Sequence, residues 1–557
     1  MRNILSIIIV VFISTLTNAQ VGYISVDDEV YNYLERMNTL GIIDDYNSFE
    51  LPKSRAEITK HLIEISTKQK KIDAIDKKKL VDFVNEFELD IKNSNLDSEN
   101  FIPNGQIKYL FSDKEKYFYS YNDSNNVNVF VNLIGKLDYL SKNENDPNFN
   151  SNSLLYRFGG EIRGSLFNRL GYSAKTTNGS FTGNKNLAQS FGSLKFNYKF
   201  TTITGSEIGE SFFDETESFL FLDYNYVNLK IGNDRKLVGY GAHKLFLGDI
   251  APRMEYLQLN LNYKSIHFSS FHSKLLGSNQ SGYNSEYGSI NSFTDKYLAY
   301  HRINFALSKH FNFSLGEMIV YSRRNLDISY LNPFNFYKSS EHANQDRDNS
   351  MLFLDFQNNS LDGLKIFSSL LIDDIDFGKI GTGWYGNQTL LNIGVFSSLL
   401  YKYVPIDFEL QYIRIDPFVY SHRIPDNNYT NLNFNIATNL QPNTSAAVLN
   451  IFYRPTHRIN INFGLTYAMH GANEIDENGK IVNYGGDLLN GYRIGDKEEV
   501  YFLDGEKEIF RNIKMKTTYE PIKNWTFALD INYFNNSLAR SQFEKYFYTN
   551  FSLYTKI

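Results

Sequence analysis

The sequence predicts an all-β fold, a transmembrane antiparallel β-barrel, with a small α-helical domain in front of it. Three observations predict it. From Asn126 to the end, segments of about ten residues or more alternate apolar and polar side chains, as strands with two unlike faces do. The connections sort into short turns and long polar loops, strictly in alternation, as in outer-membrane barrels. Composition agrees: the 557 residues include 40 Tyr and 45 Phe but 11 Pro, which suits many strands. A mean hydropathy of −0.37 excludes a helical membrane bundle but not a barrel, whose membrane signal lies in alternation. The absence of Cys excludes disulfides, thiolate metal sites and Cys nucleophiles. A net charge of −6 gives no reason to expect a nucleic-acid partner.

Met1–Ala19 reads as a signal peptide: Arg2, an apolar Ile4–Ile13 core, and the small-residue end Thr17-Asn18-Ala19. Residues 20–91 read as a helical bundle. Ser25 is expected to cap a helix from Val26 to about Leu40, with Gly41 as its stop. Ser54 and Glu57 make a capping box for a second helix. A third, from about Asp76, carries Leu80, Val81, Val84 and Phe87. So small a bundle is marginal alone and is expected to dock on the barrel. Residues 92–125 form a connecting segment with a possible strand at Gln106–Phe111, and residues 126–557 form the barrel. Short turns fall near Asn168-Arg169, Tyr198-Lys199, Tyr224-Asn225, Tyr263-Lys264, Asn359–Asp362, Val404-Pro405, Arg454–His457 and Glu520–Asn524. Long breaks fall at Ser141–Asn152, Arg235–Arg253, Gly277–Asp295, Asp416–Asn443 and Gly471–Lys507. This pattern gives about 20 strands, the pair around Ala188–Ser206 being the weakest.

The runs Tyr297–Leu307 and Phe311–Ser322 flank the break Ser308-Lys309-His310. A three-residue turn pairs Leu307 with Phe311, Phe305 with Phe313 and Ile303 with Leu315, giving one apolar face. Glu317 falls in phase with that face, where a carboxylate is costly. A bulge at Gly316 would turn Glu317 inward, opposite Arg302, as a lumen ion pair; the alternative leaves it snorkelling at a membrane interface.

No sequence motif marks an enzyme: His 10 residues are scattered, with no HExxH, and the glycines after Arg235 are not a phosphate loop. No catalytic residue, metal ligand or cofactor is expected. Charged and aromatic residues gather at the long-loop end: Arg235, His243, Arg302, Glu317, Arg323, Arg324, Tyr330, Asn332, Asp348 and Asn349. Polar forks beside aromatic faces suit carbohydrate or an anionic polymer; a barrel also needs polar loops and internal charge networks for its own sake.

Gly316-Glu317, Val320-Tyr321, Tyr330-Leu331-Asn332-Pro333-Phe334 and Asp348-Asn349, in that order and spacing, resemble the capsule assembly Wzi family of outer-membrane proteins, as does Gly232-Asn233-Asp234-Arg235 before its glycine-containing loop. Tyr33-Leu34-Glu35-Arg36 and Pro52-Lys53-Ser54-Arg55-Ala56-Glu57-Ile58 look like that family's helical domain. Val238 departs from the aromatic residue expected there, and Ile557 from an aromatic last residue. The resemblance implies 18 strands with a periplasmic helical domain, and a lectin-like role holding capsular polysaccharide. The partners expected are a surface polysaccharide and outer-membrane lipid. Alternatives are a porin or sugar-transport channel and, third, an outer-membrane hydrolase.

Overall fold

The computed structural model describes residues 21–92, 98–103, 105–123, 126–196, 212–280, 282–286, 288–290 and 292–557. The expected signal peptide and the Tyr198-Lys199 turn lie outside them. The wall is a closed antiparallel barrel of 18 strands. The strands are β1 (Val127–Glu144), β2 (Ser151–Leu166), β3 (Leu170–Gly183), β4 (Phe212–Tyr224), β5 (Val227–Asp234), β6 (Met254–Tyr263), β7 (Ile266–Asn279), β8 (Phe293–Ser308) and β9 (Phe311–Ser322). They continue as β10 (Asn349–Leu361), β11 (Leu364–Asp374), β12 (Gln388–Ser397), β13 (Ile406–Ile415), β14 (Thr444–Thr456), β15 (Ile459–Ala472), β16 (Glu506–Ile522), β17 (Trp525–Leu538) and β18 (Gln542–Lys556). The count is that of the family resemblance rather than the pattern count. Where the pattern placed strands from Ala188, the chain instead forms the helix α5 (Lys185–Gln189) and a 3-10 turn, Gly192–Phe196. Gln106–Phe111 is likewise no strand; Ile107–Phe111 is a 3-10 helix.

At the seam, Tyr546–Lys556 of β18 pairs with Ile134–Glu144 of β1. The lower part of β1 would be left with an open edge; the strip Tyr119–Asn122 pairs with Asn128–Val131 and covers it. Each strand shows why it forms. In β13, Asp407, Glu409, Gln411 and Ile413 point inward while Phe408, Leu410 and Tyr412 point out, as a wall between lipid and a polar interior demands. The short turns are tight, and Asn168, Asn225, Lys264 and Asn524 take positive φ in them, a conformation Asn tolerates well.

Among the described residues, four α-helices precede the wall: α1 (Val30–Thr39), α2 (Arg55–Thr67), α3 (Ala74–Glu86) and α4 (Glu88–Lys92). Ser25 does not cap α1, which starts later; the Asp28 carboxylate accepts the Val30 N–H at 2.9 Å. Gly41 ends it at φ 68°, and Ser54 caps α2 through the Glu57 N–H at 3.2 Å, both as expected. Val81 is exposed and Phe83 takes its place in the core. The bundle is pinned to the short-turn end. Arg36 of α1 bonds Asp73 and Asp76 and also Asp407 at the foot of β13. Lys365 reaches Glu35 at 2.9 Å, Lys309 reaches Asp44 at 2.9 Å and Lys523 reaches Glu86 at 3.1 Å.

The Tyr297–Ser322 hairpin corrects one expectation. Phe305 pairs with Phe313 and Ile303 with Leu315 as read, but the irregularity lies at Ala306/Ser308, beside the turn, so Ser308 rather than Leu307 meets Phe311. The ladder runs regularly through Gly316, which faces Arg302, and Glu317 faces His301. There is no bulge at Gly316, and Arg302 and Glu317 do not pair. Gly316 instead admits the Phe353 ring, which a Cβ would meet at 2.2 Å. Met318 and Val320 face the lumen core.

Candidate ligand surface at the loop end

The lumen beneath the loops holds a stopper built from both mouths. Residues 46–51 rise from the helical side, and the 235–253 loop descends from the ends of β5 and β6. They meet as a two-residue antiparallel ribbon, Glu50 opposite Val238 and Leu51 opposite Leu237. Phe49 is fully buried, its ring 4.9 Å from Tyr240, 5.4 Å from Phe246 and 6.1 Å from Phe353. The Arg302 guanidinium lies 4.3 Å over that ring and forks Asp355 of β10 with two bonds of 2.8 Å. Arg302 is thus a lumen residue with Asp355, not Glu317, as its partner. The Glu50 carboxylate accepts from Ser269 at 2.6 Å and Tyr300 at 2.5 Å. Burial raises its pKa, but Arg302 and these two donors outweigh burial and hold it below the usual range. Lys236 has the opposite fate: burial, and then repulsion from Lys230, push it down to about 7.

The 416–443 loop lies over the stopper. Tyr420 and Tyr429 donate to the Leu245 and Phe246 carbonyls at 2.5 and 2.6 Å. Val238 sits inside the stopper, buried and bonded to Leu247, so its departure from an aromatic does not touch the outer surface.

The 323–348 loop is an internal clasp. Arg324 forks Asp348 at 2.7 and 2.6 Å, Tyr330 donates to the same carboxylate at 2.7 Å, and the guanidinium lies 4.6 Å over the Tyr321 ring. Asp348 and Tyr330 are fully buried, and Asn349 donates to the Asn427 carbonyl at 3.1 Å. Of these four residues, read as ligand contacts, Arg324, Tyr330 and Asp348 satisfy one another, and Asn349 is spent on Asn427. Arg323 is 61% exposed while bonding Asp426 at 2.6 Å, and Asn332 is exposed. Arg235 stands apart, bonded to Asp27 at 2.9 Å and to the Asp249 carbonyl at 2.8 Å. His243 is in the lumen, tied through its backbone to Gln411, and burial lowers its pKa.

The same loop explains Glu317. Helices α6 (Ile328–Leu331) and α7 (Tyr337–Ala343) fold back along the outside of the wall. Glu317 stays on the outer face, in the phase of Leu315 and Leu352, yet is only 4% exposed. It accepts the Tyr337 N–H at 2.9 Å and lies 3.1 Å from His301 Nε2. Phe334 stacks on Phe268 at 5.1 Å. The carboxylate thus meets donors from a covering strap instead of lipid.

Sequence reasoning missed an aromatic ledge assembled by three loops. Tyr385 and Tyr492 stack at 3.5 Å and 7°. Trp384 leans on Tyr385 at 5.4 Å with the Lys379 ammonium 4.0 Å over its ring, and Phe418 meets both tyrosines edge-on. The Trp384 bridge to Glu499 fixes the 375–387 loop against the 473–505 loop. Arg423, exposed, reaches the Asp346 carbonyl of the clasp. Burial and the nearby Glu498 and Asp374 raise the Tyr385 pKa, with Arg423 opposing them. The available signal was one of only two Trp, in the glycine-flanked run Gly383-Trp384-Tyr385-Gly386, but no spacing announces that Tyr492 joins it.

No family profile and no curated protein sequence matches this chain. Among solved structures, it is similar to Wzi of Escherichia coli, described as an outer-membrane protein involved in group 1 capsule assembly and a carbohydrate-binding β-barrel. The TM-score is 0.55 at 11% identity, over 96% of this chain and 99% of that one. OprD of Pseudomonas aeruginosa aligns over 77% of this chain and 93% of its own, with TM-score 0.44 and 9% identity. OpdK of the same organism gives 0.45 and 8%, over 77% and 98%. The likeness to Wzi carries the resemblance read from the sequence as far as the fold: the chain is an 18-stranded barrel of the outer-membrane kind.

Proposed function

We propose that this protein binds a surface polysaccharide, of the capsular class, at its loop end, and so supports capsule assembly or attachment without turning the glycan over. In this reading the helical segment at the short-turn end lies in the periplasm. The observation that carries it is the Trp384–Tyr385–Tyr492 ledge beside Arg423, set in loops above a stoppered lumen. Flat aromatic faces take the apolar face of a sugar ring, and an exposed guanidinium with donors to spare takes its carboxylate or hydroxyl groups. Carbohydrate binding by the structurally similar Wzi supports the same class of ligand. Arg323 and Asn332 extend the surface; Arg324, Tyr330, Asp348 and Asn349 shape it from below. Arg235 and His243 serve the lumen side.

The test is binding of purified protein to isolated capsular glycan. Trp384→Ala with Tyr492→Ala is expected to weaken it about tenfold, from two stacking contacts of about 0.5–1.5 kcal/mol each. Unchanged binding refutes the ledge, and unchanged capsule retention by cells lacking the protein refutes the role. The channel reading draws on the charged wall opposite the stopper, where Arg157 joins Asp138 and Glu215. Steady large conductance in a planar bilayer would establish it instead.

A further inference from the structure

Cross-strand register defines two rows on the outer face of β13 to β18. The lower row, Leu410, Leu449, Leu465, Ile513, Tyr533 and Phe547, is apolar apart from the Tyr533 hydroxyl. The row above runs Tyr412, Ala447, Tyr467 and Arg511, and Lys545 lies in it two strands on, across from Asn535. Ala447 is small between two tyrosines, and the wall is dented there. The dent is a groove of about 340 Å³, floored by Leu410, Leu449, Leu465 and Ile513 and bounded by Tyr467 and Arg511.

Arg511 is exposed on this face. Its guanidinium lies 5.9 Å from the Tyr467 ring, and among the described residues no carboxylate stands within ion-pair distance of it. Lys545 is exposed and equally without a carboxylate. The height of the row matters. Tyr519, 44% exposed near the short-turn end of β16, marks the lower aromatic girdle. Arg511 is eight residues up the same strand, about 26 Å along it and about 20 Å along the barrel axis at a tilt of about 40°. The apolar band is about 25 Å tall, so with the long loops outside the row lies about 5 Å below the outer-leaflet headgroups, a gap that the long stem of an Arg or Lys spans.

We propose that this groove is a binding site for a phosphorylated glycolipid of the outer leaflet, the bis-phosphorylated lipid A class. One acyl chain fills the dent at Ala447 and a phosphate sits on Arg511, with Lys545 close enough to share the headgroup. Two independent features agree: a depression continuous with the lipid-facing surface, and unpaired cations at its headgroup edge. An arginine that merely snorkels to an interface needs no groove beside it, and a chance dent needs no cations.

The full-length protein, purified in detergent and delipidated, is titrated with lipid A and read by native mass spectrometry. Heat-modifiable gel migration confirms that each variant remains a folded barrel. One tightly held lipid A is expected. Arg511→Ala is expected to weaken it about fivefold, the size of one cation at an anionic membrane surface. Arg511→Lys retains most of the affinity, and Ala447→Leu, which fills the dent, weakens it without touching charge. Equal retention by the native protein and both loss variants overturns the site. Competition by inorganic phosphate as strong as by lipid A reduces it to an anion site without a chain, and full binding of dephosphorylated lipid A removes Arg511 from it; either result overturns the proposal.

Discussion

Phe49 is at the centre of the stopper in the lumen, and Phe49→Ala is the most direct perturbation of it. Its ring touches Tyr240 and Phe246 from the descending loop, Phe353 from the wall, and the face presented to Arg302. Truncating a buried Phe costs about 3–5 kcal/mol. Here the cavity has little room to collapse, because Arg302 is held by Asp355 and the Phe49 backbone is bonded to Gly239 at 2.8 Å. A loss of 3–4 kcal/mol raises the population of the unseated stopper by about two to three orders of magnitude. Phe49→Leu keeps most of the volume and loses mainly the ring contacts, about 1–2 kcal/mol. Two assays report it: the near-ultraviolet circular dichroism melt, which follows the stopper's tyrosines, and single-molecule conductance in a planar bilayer. Phe49→Ala is expected to lower the first transition and produce intermittent openings, with Phe49→Leu between it and the native protein. An alanine variant that melts as the native protein does and stays silent would refute the reasoning.

Glu317→Leu removes the acceptor that holds the strap, so amide exchange at Tyr337 and Lys338 should accelerate, by a factor corresponding to about 1–3 kcal/mol; unchanged protection would place the strap's anchor elsewhere, in the Phe334–Phe268 stack. Lys236, buried with a pKa of about 7, binds fewer protons folded than unfolded between pH 7 and its unfolded value of about 10.4. The first melting transition should therefore rise with pH across that window, and Lys236→Met should abolish the rise, as melting at pH 7 and pH 9.5 will tell. Arg323→Ala, which removes an exposed cation without disturbing the Arg324–Asp348 fork, should weaken binding to an anionic capsule at low salt and much less at high salt; a salt-independent effect would mean a packing role.

The wall was legible because its signals are local. Alternation along β13 or the Phe305–Phe313 pairing needs only neighbouring residues, and the sorting of turn lengths follows from the barrel itself. Placing Arg302 inward was legible for the same reason. Its partner was not: Asp355 is on the far side of a 26-residue loop, while Glu317 stood nearer in sequence with the complementary charge. The outward Glu317 looked forbidden because period-2 logic supposes that an outer face meets lipid. A loop that doubles back over the wall breaks that supposition, and nothing in the alternation of β8 or β9 reports it. The strap also absorbed Arg324, Tyr330 and Asp348, three of the residues read as ligand contacts, since an Arg, a Tyr and an Asp that satisfy one another have the same composition as three that await a sugar. The Trp384 ledge escaped notice because its rings come from loops about a hundred residues apart.

The ribbon joining Glu50–Leu51 to Leu237–Val238 has a bearing on how the stopper is held. Its two strands form a sheet of their own in mid-barrel, one rooted below and the other above. Neither segment can withdraw through its own mouth without parting from the other. The stopper is therefore tethered from both ends of the barrel at once, and a pull on either tether is borne by the same short ribbon.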